Sequence, residues 1–261
     1  MTMKFVAETD NRRAQINSFA IRMFRDTADS DYMAARVAFR AHLFQPFRWL
    51  AIHCLEKYAK GILLLNRISS IGLGHEVTRS LERMAMDGPF QIKLSDVALN
   101  FIKMLEEGAQ FRYYELSFYA DQTHLAKLDK TVSELRRYCQ PINVDMGTPE
   151  KPFNLQTILL RQIEHAREKH ATTTCIHHGH LEGVLKKKDH PSRDALVWNN
   201  LFFSSSGRKK IRMKNFFAGG NAPLYMHPDL VHDVEKLIIL NGDLKKQWKA
   251  EAAKRAIGGE S

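Results

Sequence analysis

Five basic residues fall within seven positions late in the chain, in the stretch RKKIRMK at 208–214, here called the basic segment. They are Arg208, Lys209, Lys210, Arg212 and Lys214. No acidic residue lies between Asp194 and Asp229. Such a stretch suits a polyanion, and contacts to phosphates would give affinity without base specificity. The alternative is the solubilised edge strand of a small sheet, protected by its lysines.

Two phenylalanines, Phe216 and Phe217, follow the basic segment closely. If the segment is a strand, alternation places most of its charges on one face and Ile211 and Met213 on the other. Aromatic rings beside a basic stripe can stack on bases. We therefore expect a nucleic-acid contact here, with RNA favoured.

His75 stands where a predicted helix begins, directly after Gly74. Backbone N–H groups at a helix start point outward and attract anions such as phosphate. His75 is therefore a candidate phosphate contact. The alternative is a histidine that only caps or packs against its own helix.

Composition excludes several classes of protein. The net charge is +10, and the excess of basic residues falls almost entirely after residue 150. The three cysteines are far apart, so neither a disulfide framework nor a cysteine zinc site is indicated. The first residues lack an apolar leader, and no apolar run is long enough to cross a bilayer. We expect a cytoplasmic protein without a membrane contact.

A histidine-rich stretch resembles a metal site in composition alone. Its members are Cys175, His177, His178 and His180, with His165, His170 and His190 nearby. Their spacing matches no standard zinc finger and no HExxH helix. We predict no metal and no other cofactor.

The positioning elements are mainly helical. Apolar residues at helical spacing predict five helices up to residue 140, of which the one over residues 47–65 has the widest apolar stripe. Asp29 and Asp31 are expected to cap the first of the five, and no strand is needed before residue 150. Short connections favour an antiparallel helical bundle.

The second part of the chain predicts a smaller basic α+β extension. It comprises a helix over residues 154–169, a β-hairpin with arms at 198–203 and 210–217, a helix from Pro228 and a frayed helical tail. The expected divisions are an N-terminal segment 1–27, the bundle 28–140, a linker 141–152 and the extension 153–261.

The chain resembles the HEPN family, the "higher eukaryotes and prokaryotes nucleotide-binding" domain, over about residues 28–140. The matching motifs are Leu-Glu-Lys-Tyr-Ala-Lys-Gly-Ile-Leu at 55–63, Gly-His-Glu at 74–76 and Arg-Tyr at 112–113. The resemblance implies a helical bundle that forms a homodimer and presents polar groups to nucleotides or RNA. The nucleotide contacts implied are Glu56, Lys57, Lys60, His75 and Arg112. A solvated face with modest ion pairs is the alternative for Glu56 and the two lysines.

Many HEPN proteins are metal-independent ribonucleases with an arginine and, four to six residues later, a histidine. The histidine acts as general acid or base, and the arginine holds the scissile phosphate. Here Arg112 is followed by no histidine until His124. The same spacing recurs from Arg36 to His42 and from Arg48 to His53, but in the first two helices of the bundle.

These observations predict a nucleotide- or nucleic-acid-binding protein that is not an enzyme. A first alternative is a metal-independent ribonuclease with a non-standard site drawn from Arg48, His53, His75 and Arg112. A second alternative is a protein-interaction partner in a toxin-antitoxin or defence assembly, in which the bundle supplies a docking face.

Overall fold

The computed structural model describes residues 10–109, 117–148, 151–168, 176, 179–203, 210–212 and 215–258. Of the predicted site residues, Arg112, Arg208, Lys209 and Lys214 lie outside these ranges.

The first part of the chain is mainly helical, as predicted. Its helices are α1 Asp10–Ala20, α2 Asp26–Arg40, α3 Phe44–Leu65, α4 Val77–Asp87, α5 Asp96–Ala109 and α6 Thr123–Arg136. A π-helical turn, Ile21–Arg25, joins α1 to α2. The predicted N-terminal segment 1–27 therefore holds α1 and the start of α2.

The second part is built of shorter helices. They are α7 Gln156–Glu168, α8 His180–Lys186, α9 Arg193–Val197, α10 Pro223–Met226, α11 Val231–Val234 and α12 Gly242–Gly258. The helix predicted from Pro228 is a 3-10 turn, Pro228–Leu230, followed by α11. The helix is shorter than predicted because, of the apolar residues expected on its buried face, only Val231 is fully buried. Beyond α11, Leu237 and Ile239 are exposed.

Antiparallel contacts join the helices of the first part. Along α2 and α3, Asp31 meets Lys57 near one end and Phe39 meets Phe47 near the other. Between α5 and α6, the backbone N–H of Ser95, just before α5, donates to Glu134 at 2.7 Å, while the rings of Phe101 and His124 approach each other. The short connection between α2 and α3 favours the antiparallel arrangement of these two helices.

Two strand pairs accompany the helices. Strand β1, Phe118–Asp121, pairs antiparallel with β4, Phe217–Gly220, and β2, Asp145–Thr148, pairs with β3, Lys151–Asn154. The expectation of no strand before residue 150 is therefore wrong. The predicted linker 141–152 contains β2 and the start of β3.

The predicted hairpin between 198–203 and 210–217 is also wrong in its described residues. Residues 198–203 form turns after α9, and residues 210–212 are not in a strand. Phe217 instead begins β4, whose partner β1 lies about a hundred residues earlier in the chain. The period-2 pattern indicates a strand but carries no information on its partner.

One large apolar core runs through most of the described chain. It includes Tyr58 and Phe101 from the first part and Leu181, Leu196 and Phe203 from the second. A separate small cluster joins Leu224, Val231, Leu244 and Trp248 near the C terminus. The domain boundary at residues 141–152 stays a prediction.

A buried charge network ties α8 to α2 and α6. Arg136 donates to Asp29 at 2.7 and 2.8 Å and to Glu182 at 2.8 Å through two nitrogens. Tyr58 also donates to Asp29. Asp29, expected to cap a helix, is thus fully buried in the first half of α2. A Cβ on Gly179 would overlap the Glu182 carboxylate, so the pairing of Glu182 with Arg136 requires a glycine just before α8.

A second buried network ties α9 and the turns after it to α2. Arg36 contacts Asp129 and donates to the carbonyl oxygens of Ala195, at 2.8 Å, and of Trp198. Tyr32 donates to Asp129 at 2.7 Å and accepts from Asn200 at 2.9 Å. Burial raises the pKa of the Asp129 carboxyl, and the Arg36 charge opposes that rise.

Among the described helices, none combines the length and the apolar character needed to cross a membrane.

Candidate functional site

The polar residues predicted on the central helix do share one face. His53, Glu56, Lys57 and Lys60 follow each other on α3 at helical spacing, and His75 approaches them from the loop before α4. We call these five residues the α3 polar cluster. Glu56 is its centre, since Lys60 donates to the carboxylate at 2.7 Å and His75 Nδ1 lies 3.1 Å from it.

The charged groups of the α3 polar cluster already have protein partners. Lys60 also donates to the carbonyl of Gly74 at 2.8 Å, and Lys57 pairs with Asp31 at 2.6 Å. Glu56 therefore anchors the loop before α4, and Lys57 joins α3 to α2. The His75 side chain remains 68% exposed, so it is the member most available to a ligand.

His53 is partly buried beside an aromatic ring. Its ring lies against the ring of Trp49, with 4.1 Å between centroids. Partial burial lowers the pKa of His53 despite the nearby carboxylates of Glu56 and Asp31. The imidazole is thus held toward its neutral form.

Arg48 and His53 do not form a joint site. Five residues apart on α3, they point about 140° away from each other around the helix axis. The Arg48 guanidinium lies near the carbonyl of Met104 on α5, at 3.4 Å, and burial lowers its pKa. His53 faces the α3 polar cluster instead. The alternative catalytic set is thus divided between two sides of α3, with Arg112 outside the described residues.

His124 lies on the Arg48 side of α3 and is fully buried. Its ring packs between Phe101 and Tyr119, and neither ring nitrogen has a hydrogen-bond partner among the described residues. Burial lowers its pKa to about 4, an effect that the Asp121 charge only partly opposes. His124 is therefore uncharged in the folded protein at neutral pH.

Replacing His124 by phenylalanine should change how stability depends on pH. The wild-type pKa falls from about 6.5 unfolded to about 4 folded, so the unfolded chain takes up a proton first as pH falls. Between pH 7 and pH 4.5, the free energy of unfolding of wild type should fall by about 2 kcal/mol more than that of His124→Phe. Urea unfolding at both pH values measures this difference. The control is His165→Phe, because His165 is exposed. A difference in unfolding free energy between wild type and His124→Phe that does not change with pH would contradict the account.

The described part of the basic segment is exposed and anchored. Lys210 and Arg212 both have exposed side chains. The Arg212 backbone N–H donates to Asn199 Oδ1 at 3.0 Å, and the Asn199 amide donates back to the Arg212 carbonyl. This pair of bonds holds the segment beside the turn that follows α9.

Sequence reasoning missed two residues next to this anchor. The guanidinium carbon of Arg40 lies 5.3 Å from the centre of the Trp198 ring, a cation–π contact, and Trp198 is 36% exposed. Trp198 immediately precedes Asn199, which holds Arg212. We call Arg40, Trp198, Lys210 and Arg212 the basic–aromatic surface. The sequence offers one indication of this contact: Arg36 and Arg40 are four residues apart and so lie on one face of α2. In the structure Arg36 binds the Trp198 carbonyl and Arg40 lies over the Trp198 ring.

The two phenylalanines after the basic segment have different roles. Phe216 is half-buried among the rings of Phe39, His42 and Phe44. It packs against the core and is not free to stack on a base, contrary to expectation. Phe217 is 74% exposed and remains available.

The histidine-rich stretch is only partly described. His170, Cys175, His177 and His178 lie outside the described residues, and His165 is exposed on α7. In the described ranges, no group of three or more histidine, cysteine, aspartate or glutamate side chains is placed to hold a metal ion.

Comparisons with protein-family models, with curated proteins and with solved structures find no match. The α3 polar cluster and the basic–aromatic surface are therefore the features that bear on function.

Proposed function

We propose that this protein binds nucleic acid, RNA in preference, through phosphate contacts made by the basic segment and its neighbours. The observation that carries the proposal is the anchoring of Arg212 by Asn199, next to the stacked side chains of Arg40 and Trp198. Three exposed cations, those of Arg40, Lys210 and Arg212, and the partly exposed Trp198 ring thereby belong to one surface. Cations contact phosphates, and the ring can contact a base or a sugar.

The sequence around this surface favours the same ligand. No acidic residue interrupts residues 195–228, so the local field of the segment is positive. Phosphate contacts of this kind give salt-dependent affinity with little base specificity. Arg208, Lys209 and Lys214 belong to the proposal as further phosphate contacts.

Alanine at all five basic positions, 208, 209, 210, 212 and 214, should flatten the salt dependence of RNA affinity. Each lost phosphate contact lowers the slope of log affinity against log salt by about 0.7 for a single strand. Fluorescence anisotropy of a labelled RNA at several salt concentrations measures the slope. The control removes Lys245, Lys246 and Lys249 of α12 in the same way. An unchanged slope in the five-residue variant would refute the proposed contact surface.

The resemblance to the HEPN family extends the proposal. It implies a homodimer with Glu56, Lys57, Lys60, His75 and Arg112 near a nucleotide or an RNA phosphate, and we propose from the composition that this homodimer is cytoplasmic. The exposure of His75 supports this role, whereas the ion pairs of Glu56 and the lysines also fit a purely structural one. Cleavage is not part of the proposal, because Arg48 and His53 have different neighbours.

A protein partner is a second candidate, favoured by one observation. Leu237 and Ile239 are 82% and 96% exposed in the segment after α11. Exposed apolar residues of this size frequently mark contact surfaces. A second protein that co-purifies in a fixed ratio would support a toxin-antitoxin or defence assembly, and a chain that purifies alone would count against it.

A further inference from the structure

Two exposed aromatic rings lie side by side on the small sheet of β1 and β4. The rings of Tyr119 and Phe217 are stacked, with centroids 5.8 Å apart and planes only 13° from parallel. Their residues are 48% and 74% exposed. We call Tyr119 and Phe217 the aromatic pair.

The register of the sheet produces this arrangement. Tyr119 is paired with Gly219 and Asp121 with Phe217, so Tyr119 and Phe217 are diagonal neighbours on one face. Ala120, which alternates with Tyr119, points into the core and is fully buried. Gly219 lies directly opposite Tyr119 and has no side chain, so it does not cover the Tyr119 ring.

The aromatic pair is close to the basic–aromatic surface along the chain. Phe217 is the fifth residue after Arg212, so their Cα atoms are at most about 18 Å apart. Both ends of this stretch are held: Arg212 by Asn199, and the Phe216 backbone N–H by Gln122 at 3.4 Å. A ligand a few nucleotides long can reach both surfaces.

Neighbouring charges are compatible with a polyanion. The carboxylate paired across the sheet with Phe217, that of Asp121, accepts bonds from the Thr123 backbone N–H at 2.7 Å and from its hydroxyl at 2.6 Å. Its charge is thereby directed at the start of α6. Arg48 interacts electrostatically with Tyr119, so a cation also lies near the aromatic pair.

We propose that the aromatic pair is a stacking platform for unpaired bases, so that the preferred ligand is single-stranded nucleic acid. Bases in a duplex are stacked on each other and cannot offer their faces to Tyr119 and Phe217, whereas unpaired bases can. This inference rests on the proposed function, to which it adds the strand type. The basic–aromatic surface holds phosphates, and the aromatic pair selects the strand.

The test compares two RNA probes of one length, a single strand free of internal pairing and a duplex, at one salt concentration. Wild type should bind the single strand more tightly. Phe217→Ala and Tyr119→Ala should each weaken single-strand binding roughly 5- to 100-fold and leave duplex affinity and the salt slope unchanged. Phe153→Ala is the matched control, because Phe153 is 52% exposed on the other strand pair.

A fluorescent base provides a second readout that does not depend on affinity. A 2-aminopurine in the single strand should be quenched by wild type at saturation, and the quenching should fall in Phe217→Ala. Equal affinity of wild type for both probes, or unchanged quenching in Phe217→Ala, overturns the stacking platform while salt-sensitive binding still supports the proposed function. A change of oligomeric state in Phe217→Ala assigns the pair to a contact between copies and also overturns the platform. Absence of any binding by wild type overturns both proposals.

Discussion

Replacing Arg136 by alanine should lower the free energy of unfolding by about 3–5 kcal/mol. The guanidinium is fully buried and is the shared partner of the Asp29 and Glu182 carboxylates, from α2 and α8. Its loss leaves two buried acids facing each other without a cation. The same pairing lowers the pKa of Glu182 despite its burial, so Arg136 stabilises the ionised carboxylate.

Urea unfolding at pH 7, followed by circular dichroism, measures this effect. The matched control is Arg83→Ala, which removes an exposed pair with Asp87 on α4 and should change stability by less than about 1 kcal/mol. A loss at Arg136 as small as that of the control would show that the buried network contributes little.

Replacing Arg36 by alanine should have an effect of similar size, about 3–5 kcal/mol, by a different route. Arg36 neutralises Asp129 and also satisfies the carbonyl oxygens of Ala195 and Trp198. Its loss leaves Asp129 buried with only Tyr32 as a donor among the described residues. It also releases the turns that position Trp198 and Asn199, so RNA affinity should fall together with stability.

The loss caused by Arg36→Ala should depend on pH in a defined direction. Burial already raises the pKa of Asp129 above its ordinary value, and removing Arg36 raises it further. An acid whose pKa is raised by folding contributes more stability as pH falls. The difference from wild type should therefore shrink between pH 7 and pH 5, as measured by urea unfolding. When Asp129→Ala is compared with the Asp129→Ala, Arg36→Ala double variant, this pH dependence should disappear, and its persistence would contradict the assigned cause.

The sequence predicts well the elements whose signals are local. The helix expected over residues 47–65 is α3, Phe44–Leu65, because a wide apolar stripe fixes both its type and its buried face. The ion pair of Glu56 with Lys60 fits the alternative of a face with modest ion pairs, because the two residues are four apart on α3. The contact of His75 with Glu56 was not predicted. Mainly helical architecture follows from the same local patterns.

The sequence does not predict contacts between residues that are distant in the chain. Asp29 is of a residue type that often caps helices, but its partners Arg136 and the Leu181 backbone N–H are 107 and 152 residues away. The strand predicted over residues 210–217 shares only Phe217 with β4, Phe217–Gly220, and its partner β1 was not predicted, because register depends on the assembled sheet. The contact of Trp198 with Arg40 depends on the packing of α9 against α2, which no local pattern in the sequence indicates.

The most direct test of the account is a titration of the purified protein against a labelled mixed-sequence RNA at low and high salt, with EDTA present. The gel reports both the shift of the RNA and its length. The account predicts a shift that weakens steeply as salt rises, with the RNA intact. Unshifted RNA at low salt would contradict nucleic-acid binding, and discrete RNA fragments would contradict a non-catalytic role.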